Sequence, residues 1–272
     1  MYTVKSRLIY MPGGFFMDIF DFSRARQLLS PFYAFREKYG LSGAVLKTFA
    51  IISMLVDHTA ATAVRAVASH ASRTDPELYR SLNRLYFYMR RFGRLAFPIF
   101  CFFVVEGFFR TRDVKKYALR MFCFALLSEF PFDYALHHNQ PFTAKQNVYF
   151  TLLIGLLVMW GATMMKGMIA LQAMVMAMGM ITSFYLRTDY SYHGVFLIEM
   201  LFILRSWPLL QSLAGGSYMY WYERTPTQFA FIPLLLYNGK RGRQIKHLFY
   251  LFYPAHHLIL GLITYQVLPR IF

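Results

Sequence analysis

Acidic residues are scarce in this chain. It holds 13 Asp and Glu against 29 Lys and Arg, and charged residues fill only 15% of its 272 positions. A soluble domain carries about 25% charge, so the deficit argues against a soluble enzyme. Cysteine is nearly absent as well. Cys101 and Cys123 both sit in apolar runs, which excludes a disulfide framework and a cysteine-based zinc site. No His, Cys and Asp set shows ligand spacing, so no metal is expected. No internal repeat or low-complexity linker divides the chain, so one domain is expected after the first 41 residues. Residues 1–10 carry Lys5 and Arg7 but lack the apolar core of a cleavable signal peptide. Insertion is then expected to depend on the first spanning helix.

Apolar residues take the place of charge. They make up 57% of the chain, with 19% aromatic, and the mean hydropathy is +0.37. The net charge of +16 would point to nucleic acid in a polar chain. Here the basic residues form short clusters between long apolar runs. That pattern fits cytoplasmic loops and anionic lipid headgroups, so the expected partner is the lipid bilayer and no nucleic acid. A spanning helix needs about 20 mostly apolar residues. Such segments fall at 42–63, 94–109, 117–136, 148–165, 168–186, 194–204 and 248–268, with one or two more within 208–237. The fold expected is all-α, a polytopic integral membrane helix bundle with about 8–9 transmembrane helices. Residues 1–41 read as a cytoplasmic or interfacial lead-in, with Arg24, Arg26, Arg36 and Lys38 among aromatics. Residues 42–272 form the membrane domain. The stretch 65–94 holds seven arginines and would face outward, which this topology explains only if part of it lies on the membrane surface.

Ionisable groups inside a bilayer cost about 2.5–3.5 kcal/mol each on the insertion scale, so each needs a reason. Lys47 and His58 are eleven positions apart in the first apolar run. On a helix that is about three turns, an offset near 20° and a rise of about 16.5 Å. Both therefore look the same way from different depths. A cation at headgroup level with a deeper histidine suits a long anionic cofactor, phosphates at Lys47 and reactive end at His58. Histidine is the side chain best placed to move a proton near neutral pH. Asp57 adjoins it in sequence but does not face it on a helix; paired polar groups that fix helix packing are the plainer reading. Glu106 either pairs with Arg110 four residues on or serves as a buried acid or base. Glu129 and Asp133 share one helix face. They can pair with Arg120 or Arg94, share a proton, or bind a cation or a substrate amine. His256 stands in an apolar run, where an interfacial position is the plainer reading. His193 and the His137-His138 pair read as interfacial, and the methionines around 174–180 as lipid-facing packing.

Five stretches carry a family resemblance: LKTFAIISMLVDH at 46–58, GRLAFPIFCFFVVEGFFRTRDVKKYALRMFCFALLSEFPFD at 93–133, QNVYFTLLIGL at 146–156, YNGKRG at 237–242 and FYLFYPAHHLIL at 249–260. The sequence resembles the TraX family over about residues 41–270. That family is named for a conjugative-plasmid inner-membrane protein that acetylates the pilin N-terminus. A looser likeness joins it to membrane acyltransferases of the acyltransferase-3 type. These carry a basic residue and, eleven positions later, a catalytic histidine, which Lys47 and His58 match. A late-helix histidine resembles His256.

The resemblance implies a bacterial inner-membrane, multi-pass acetyltransferase that draws acetyl-CoA from the cytosol. The acceptor would be a pilin or an envelope glycan. Lys47, Arg112, Lys115 and Lys116 would hold the cofactor phosphates. His58 would take the acceptor's proton, with Asp57 or Glu106 stabilising the imidazolium. Glu129, Asp133 and His256 would contact the acceptor. Two other classes remain: a proton-coupled transporter using the same buried charges, and a non-catalytic assembly protein packed through Gly155, Gly161 and Gly167.

Overall fold

The computed structural model describes residues 27–137, 145–224, 226–243 and 248–271. Arg24, Arg26, His138 and most of the lead-in therefore lie outside the described residues. Among the described residues the chain is helical, and its only extended pairings are the single bridges Leu41↔Tyr237 and Gln146↔Thr188. Helix α1, Ser30–Tyr39, ends in Arg36 and Lys38 and buries none of its residues. It leads into α2, Gly43–Thr59, whose first turn is stitched to the segment after residue 236. Leu41 N–H donates to Leu236 O at 2.8 Å, Gly43 N–H to Lys240 O at 2.8 Å and Ala44 N–H to Arg241 O at 2.9 Å. This contact defines one end of the bundle, the Lys47 end.

Helix α2 does not stop where its apolar run stops. It passes through a π turn at Ala60–Val64 into α3, Arg65–Thr74. The whole rod is 32 residues long, about 48 Å at 1.5 Å per residue. Asp75 then reverses the chain. Its Oδ1 accepts the N–H groups of Glu77 and Leu78 at 3.0 Å each, and Pro76 starts α4, Pro76–Gly93, where no N–H is needed. Helix α5, Ala96–Arg110, continues back to the Lys47 end. The seven-arginine stretch is thus neither a loop nor a surface strand of chain. It is a helical hairpin, α3 against α4, that extends the two rods beyond the length a bilayer core requires.

The remaining helices alternate in direction: α6, Val114–Leu136; α7, Val148–Met164; α8, Ile169–Tyr185; α9, Ser191–Ile203; α10, Pro208–Glu223; α11, Phe231–Leu235, entered by a 3₁₀ turn at Pro226–Ala230; and α12, Leu248–Leu262. Helix α6 shows the sequence logic. Leu119, Phe122, Leu126 and Phe130 recur at helical spacing and are exposed, whereas Met121, Ala125 and Phe132 are buried. An apolar stripe on the outside of a bundle faces lipid. The core is built from Leu46 and Ala50 of α2, Ile99 and Val105 of α5, Leu156 and Met159 of α7, and Leu197 and Leu201 of α9. Met174 and Met178 are exposed as expected, but Met176 between them is buried.

Three helical stretches are long and apolar enough to cross a membrane: Gly43–Thr74, Pro76–Arg110 and Tyr250–Arg270. Four shorter apolar ones join them: Val148–Met164, Ile169–Tyr185, Ser191–Ile203 and Pro226–Leu235.

Gly93 sets the distance between the two rods. A Cβ there would lie 2.1 Å from Asp57 Cβ. Ser53 Oγ donates to Phe92 O at 2.7 Å and to Gly93 O at 3.0 Å at the end of α4; Phe92 O also accepts the Leu95 N–H at 3.2 Å. Gly93→Ala is expected to lower stability by about 1–3 kcal/mol through forced separation of the rods, read as a fall in thermal midpoint of the detergent-solubilised protein.

Candidate active site

Three histidines from two helices meet near the end of α2 that lies away from Lys47. His58 comes from α2; His256 and His257 are consecutive on α12. His58 Nδ1 lies 2.6 Å from His256 Nε2. The His58 ring stacks on that of His256, with centroids at 4.9 Å, and lies 4.2 Å from that of His257. His257 is fully buried and His256 nearly so. Thr62 Oγ1, from the π turn, donates to His58 O at 2.6 Å. Such turns are frequent where a helix carries function.

The hydrogen bonds assign the neutral tautomers. His256 Nδ1 faces Phe252 O at 2.7 Å and His257 Nδ1 faces Tyr253 O at 2.9 Å. A carbonyl only accepts, so both Nδ1 atoms carry the proton and both Nε2 atoms a lone pair. His58 Nδ1–H must then donate to His256 Nε2. That leaves the lone pair of His58 on Nε2, 3.9 Å from Asp57 Oδ2. The chain Phe252 O, His256, His58 thus fixes one imidazole with a free basic nitrogen and a carboxylate beside it. His257 Nε2 is buried with no hydrogen-bond partner. Ligand nitrogens of the three residues lie within 4.8 Å of one another. They are metal-ligand types, but two of them are engaged in a hydrogen bond with each other.

The other expected residues divide by place. Asp57 is bonded to Arg90 of α4, so its main partner is an arginine from the hairpin. Lys47 is at the opposite end of α2, its Nζ 4.8 Å from the Phe103 ring centre, in the repulsive field of Arg110 and Arg241. Glu106 is at that same end, far from His58. It accepts from Arg110 Nη2 at 2.9 Å and from Arg205 Nε at 2.7 Å. Arg112, Lys115 and Lys116 are exposed at the turn into α6. There Thr111, Arg112, Asp113, Lys116, Leu119 and Arg120 line a shallow groove of about 340 Å³. Asp113 caps α6, and the Lys116 backbone N–H holds its carboxyl below the usual carboxylate range.

Glu129 and Asp133 do not face the histidines as a pair of acids. Glu129 accepts from the backbone N–H of Asn147 at 3.2 Å and from its side chain. Asn147 also donates to Ala125 O at 2.8 Å and caps α7 through Tyr149 N–H at 3.0 Å. Asp133 Oδ1 lies 3.7 Å from His137 Nδ1. Arg94, one expected partner for these acids, instead binds Glu223 at the end of α10. His193, given no role from sequence, meets Tyr218 Oη at 2.7 Å. Sequence reasoning missed His257 and Arg90. The signal for His257 was the doubled histidine within an apolar run; none marked Arg90 apart from its six neighbours in kind.

Outward apolar stripes, long apolar rods and a largely buried imidazole cluster mark a helical membrane protein. The chain belongs to the TraX family, whose profile, described as TraX protein, matches residues 42–264. It is also similar to a Dichelobacter nodosus protein described as "Probable fimbrial assembly protein FimC, serogroup H1". The two are 26% identical over 249 residues, covering 79% of this chain and 92% of the relative. No solved structure matches.

Asn147→Ala is expected to cost about 1–3 kcal/mol, because buried Glu129 loses its side-chain donor and keeps only the residue 147 backbone N–H. Glu129→Gln retains an acceptor for Asn147 and should cost less. Thermal unfolding of both variants in detergent checks the order.

Proposed function

We propose that the protein is a multi-pass inner-membrane acetyltransferase with acetyl-CoA as donor and an envelope molecule as acceptor. The observation that carries this reading is the hydrogen-bonded His58–His256 pair, which leaves His58 Nε2 as a free base three turns from Lys47 on the same helix. A donor whose phosphates rest at the Lys47 end would reach toward His58 with its thioester. Arg112, Lys115 and Lys116 add cations at that end.

In the reaction, the acceptor's O–H or N–H loses its proton to His58 Nε2 as the oxygen or nitrogen attacks the thioester carbon. The new bond to the acetyl carbon forms and the C–S bond breaks. The imidazolium returns its proton to the leaving thiolate, giving free thiol and acetylated acceptor. Asp57 stabilises the transient imidazolium across 3.9 Å, and His256 keeps Nε2 the basic nitrogen. His256 is a positioning residue in this scheme. Glu106 fixes its end of the bundle through Arg110 and Arg205.

The alternating helices support nine crossings: α2, α5, α6, α7, α8, α9, α10, α11 with its 3₁₀ entry, and α12. Arg110, Arg112, Lys115, Lys116, Lys240 and Arg241 gather at the Lys47 end, and taking that end as cytoplasmic puts the arginine hairpin of α3 and α4 on the outer side. Donor and base then lie toward opposite faces.

The name of the Dichelobacter nodosus relative favours a second reading, in which the protein assists fimbrial assembly without chemistry. Acetyl-CoA binding and hydrolysis by purified protein separate the two. Wild type is expected to bind the donor and turn it over slowly. Lys47→Ala should weaken binding, and His58→Ala should keep binding while turnover falls about 10²- to 10⁴-fold. If no variant binds acetyl-CoA while folded, and assembly proceeds with both residues changed, the assembly reading takes its place.

A further inference from the structure

Beside the histidines, between the end of α4 and the end of α10, lies a groove of about 580 Å³. It opens at the end away from Lys47. Four arginines line it, Arg90, Arg91, Arg94 and Arg224, with one carboxylate, Glu223. Arg94 binds Glu223 and Arg90 binds Asp57 behind the groove. These four cations therefore meet two carboxylates. Arg91 Nε is buried without a hydrogen-bond partner, and its guanidinium lies 4.3 Å from the Phe87 ring centre. A buried N–H with no acceptor is a cost that an incoming oxyanion removes.

The rest of the lining is aromatic: Tyr86, Phe87 and Tyr222. Tyr222 is held in place by stacking on His193, with centroids at 3.8 Å and planes 25° apart. Guanidinium forks suit phosphate and carboxylate oxygens, and ring faces suit a flat, partly apolar group. The groove also connects to the base, because Arg90 holds Asp57 and Asp57 flanks His58 Nε2.

We propose that this groove binds the acyl acceptor, and that the acceptor is a saccharide carrying a phosphate group. The assignment rests on the acyltransferase reading. A peptide amino terminus would approach as a cation and meet like charge. A sugar phosphate presents an oxyanion to Arg91 and Arg224, a ring to the aromatic wall and a hydroxyl toward His58 Nε2. The transfer then makes an O-acetyl ester, with the hydroxyl proton passing to His58 and on to the thiol of the spent donor.

The test uses the full chain in phosphatidylcholine nanodiscs, with binding followed by calorimetry. The probes are N-acetylglucosamine 1-phosphate, N-acetylglucosamine and inorganic phosphate. The sugar phosphate is expected to bind at least about tenfold more tightly than either other probe, since only it uses both linings. Arg91→Gln combined with Arg224→Gln should remove that preference and leave acetyl-CoA binding unchanged. Equal binding of the three probes overturns the proposal, and so does a double variant that binds like wild type. Nanodiscs containing phosphatidylglycerol form a second arm: full displacement of the sugar phosphate there would reassign the groove to lipid headgroups. Sugar-phosphate binding without acetyl-CoA binding would remove acyl transfer but not the anion site. Acetyl-CoA turnover without sugar-phosphate binding would remove the acceptor assignment alone.

Discussion

The ion pair between Asp57 and Arg90 ties the histidine cluster of this protein to its architecture. A carboxylate near the end of an apolar helix is costly alone. It is tolerated because α4 brings an arginine to it, and α4 comes that close because Gly93 has no side chain to hold the rods apart. Ser53 then ties the two rods together by donating to the carbonyls of Phe92 and Gly93. The same approach sets the position of His58, the next residue, against α12. Charge pairing, backbone satisfaction and steric contact thus agree at one place, and the histidine cluster depends on all three.

Much of the bundle was legible because a bilayer leaves a simple mark on sequence. The expected spans at 148–165 and 168–186 correspond to Val148–Met164 and Ile169–Tyr185. The hairpin at 65–94 was not legible by that rule. Its helices carry arginines and alternating apolar residues, so a hydropathy reading takes them for a loop. What makes them helical is local: the Asp75 cap, Pro76 at the first helical position, and a π turn that carries α2 through without a break.

The site was legible in part, and for a different reason. Lys47 and His58 stand out because a rise of three turns with little rotation aligns them, and that is a property of one helix. The partner of His58 is 198 residues away, and no spacing rule reaches across that distance. His256 entered through resemblance, and its neighbour His257 did not enter at all. Glu106 and Glu129 drew attention as buried acids. In the structure Glu106 accepts hydrogen bonds from two arginines and Glu129 Oε2 from a cap residue, ordinary ways a bundle holds a carboxylate, while Glu129 Oε1 is buried without a partner. Burial of charge is a good guide to where something must be paired and a poor guide to which pairs do chemistry.

The π turn at Ala60–Val64 has a further consequence for how the two halves of the long rod are phased. A π segment accommodates one residue more per turn than its neighbours, so it acts as a fixed rotational offset of about 100° between α2 and α3. The face of α3 that meets α4 is therefore set independently of the face of α2 that carries His58. Helix α2 meets α4 through Ser53 and Asp57 and α3 meets it again further out, so the offset falls between two contacts with the same partner helix.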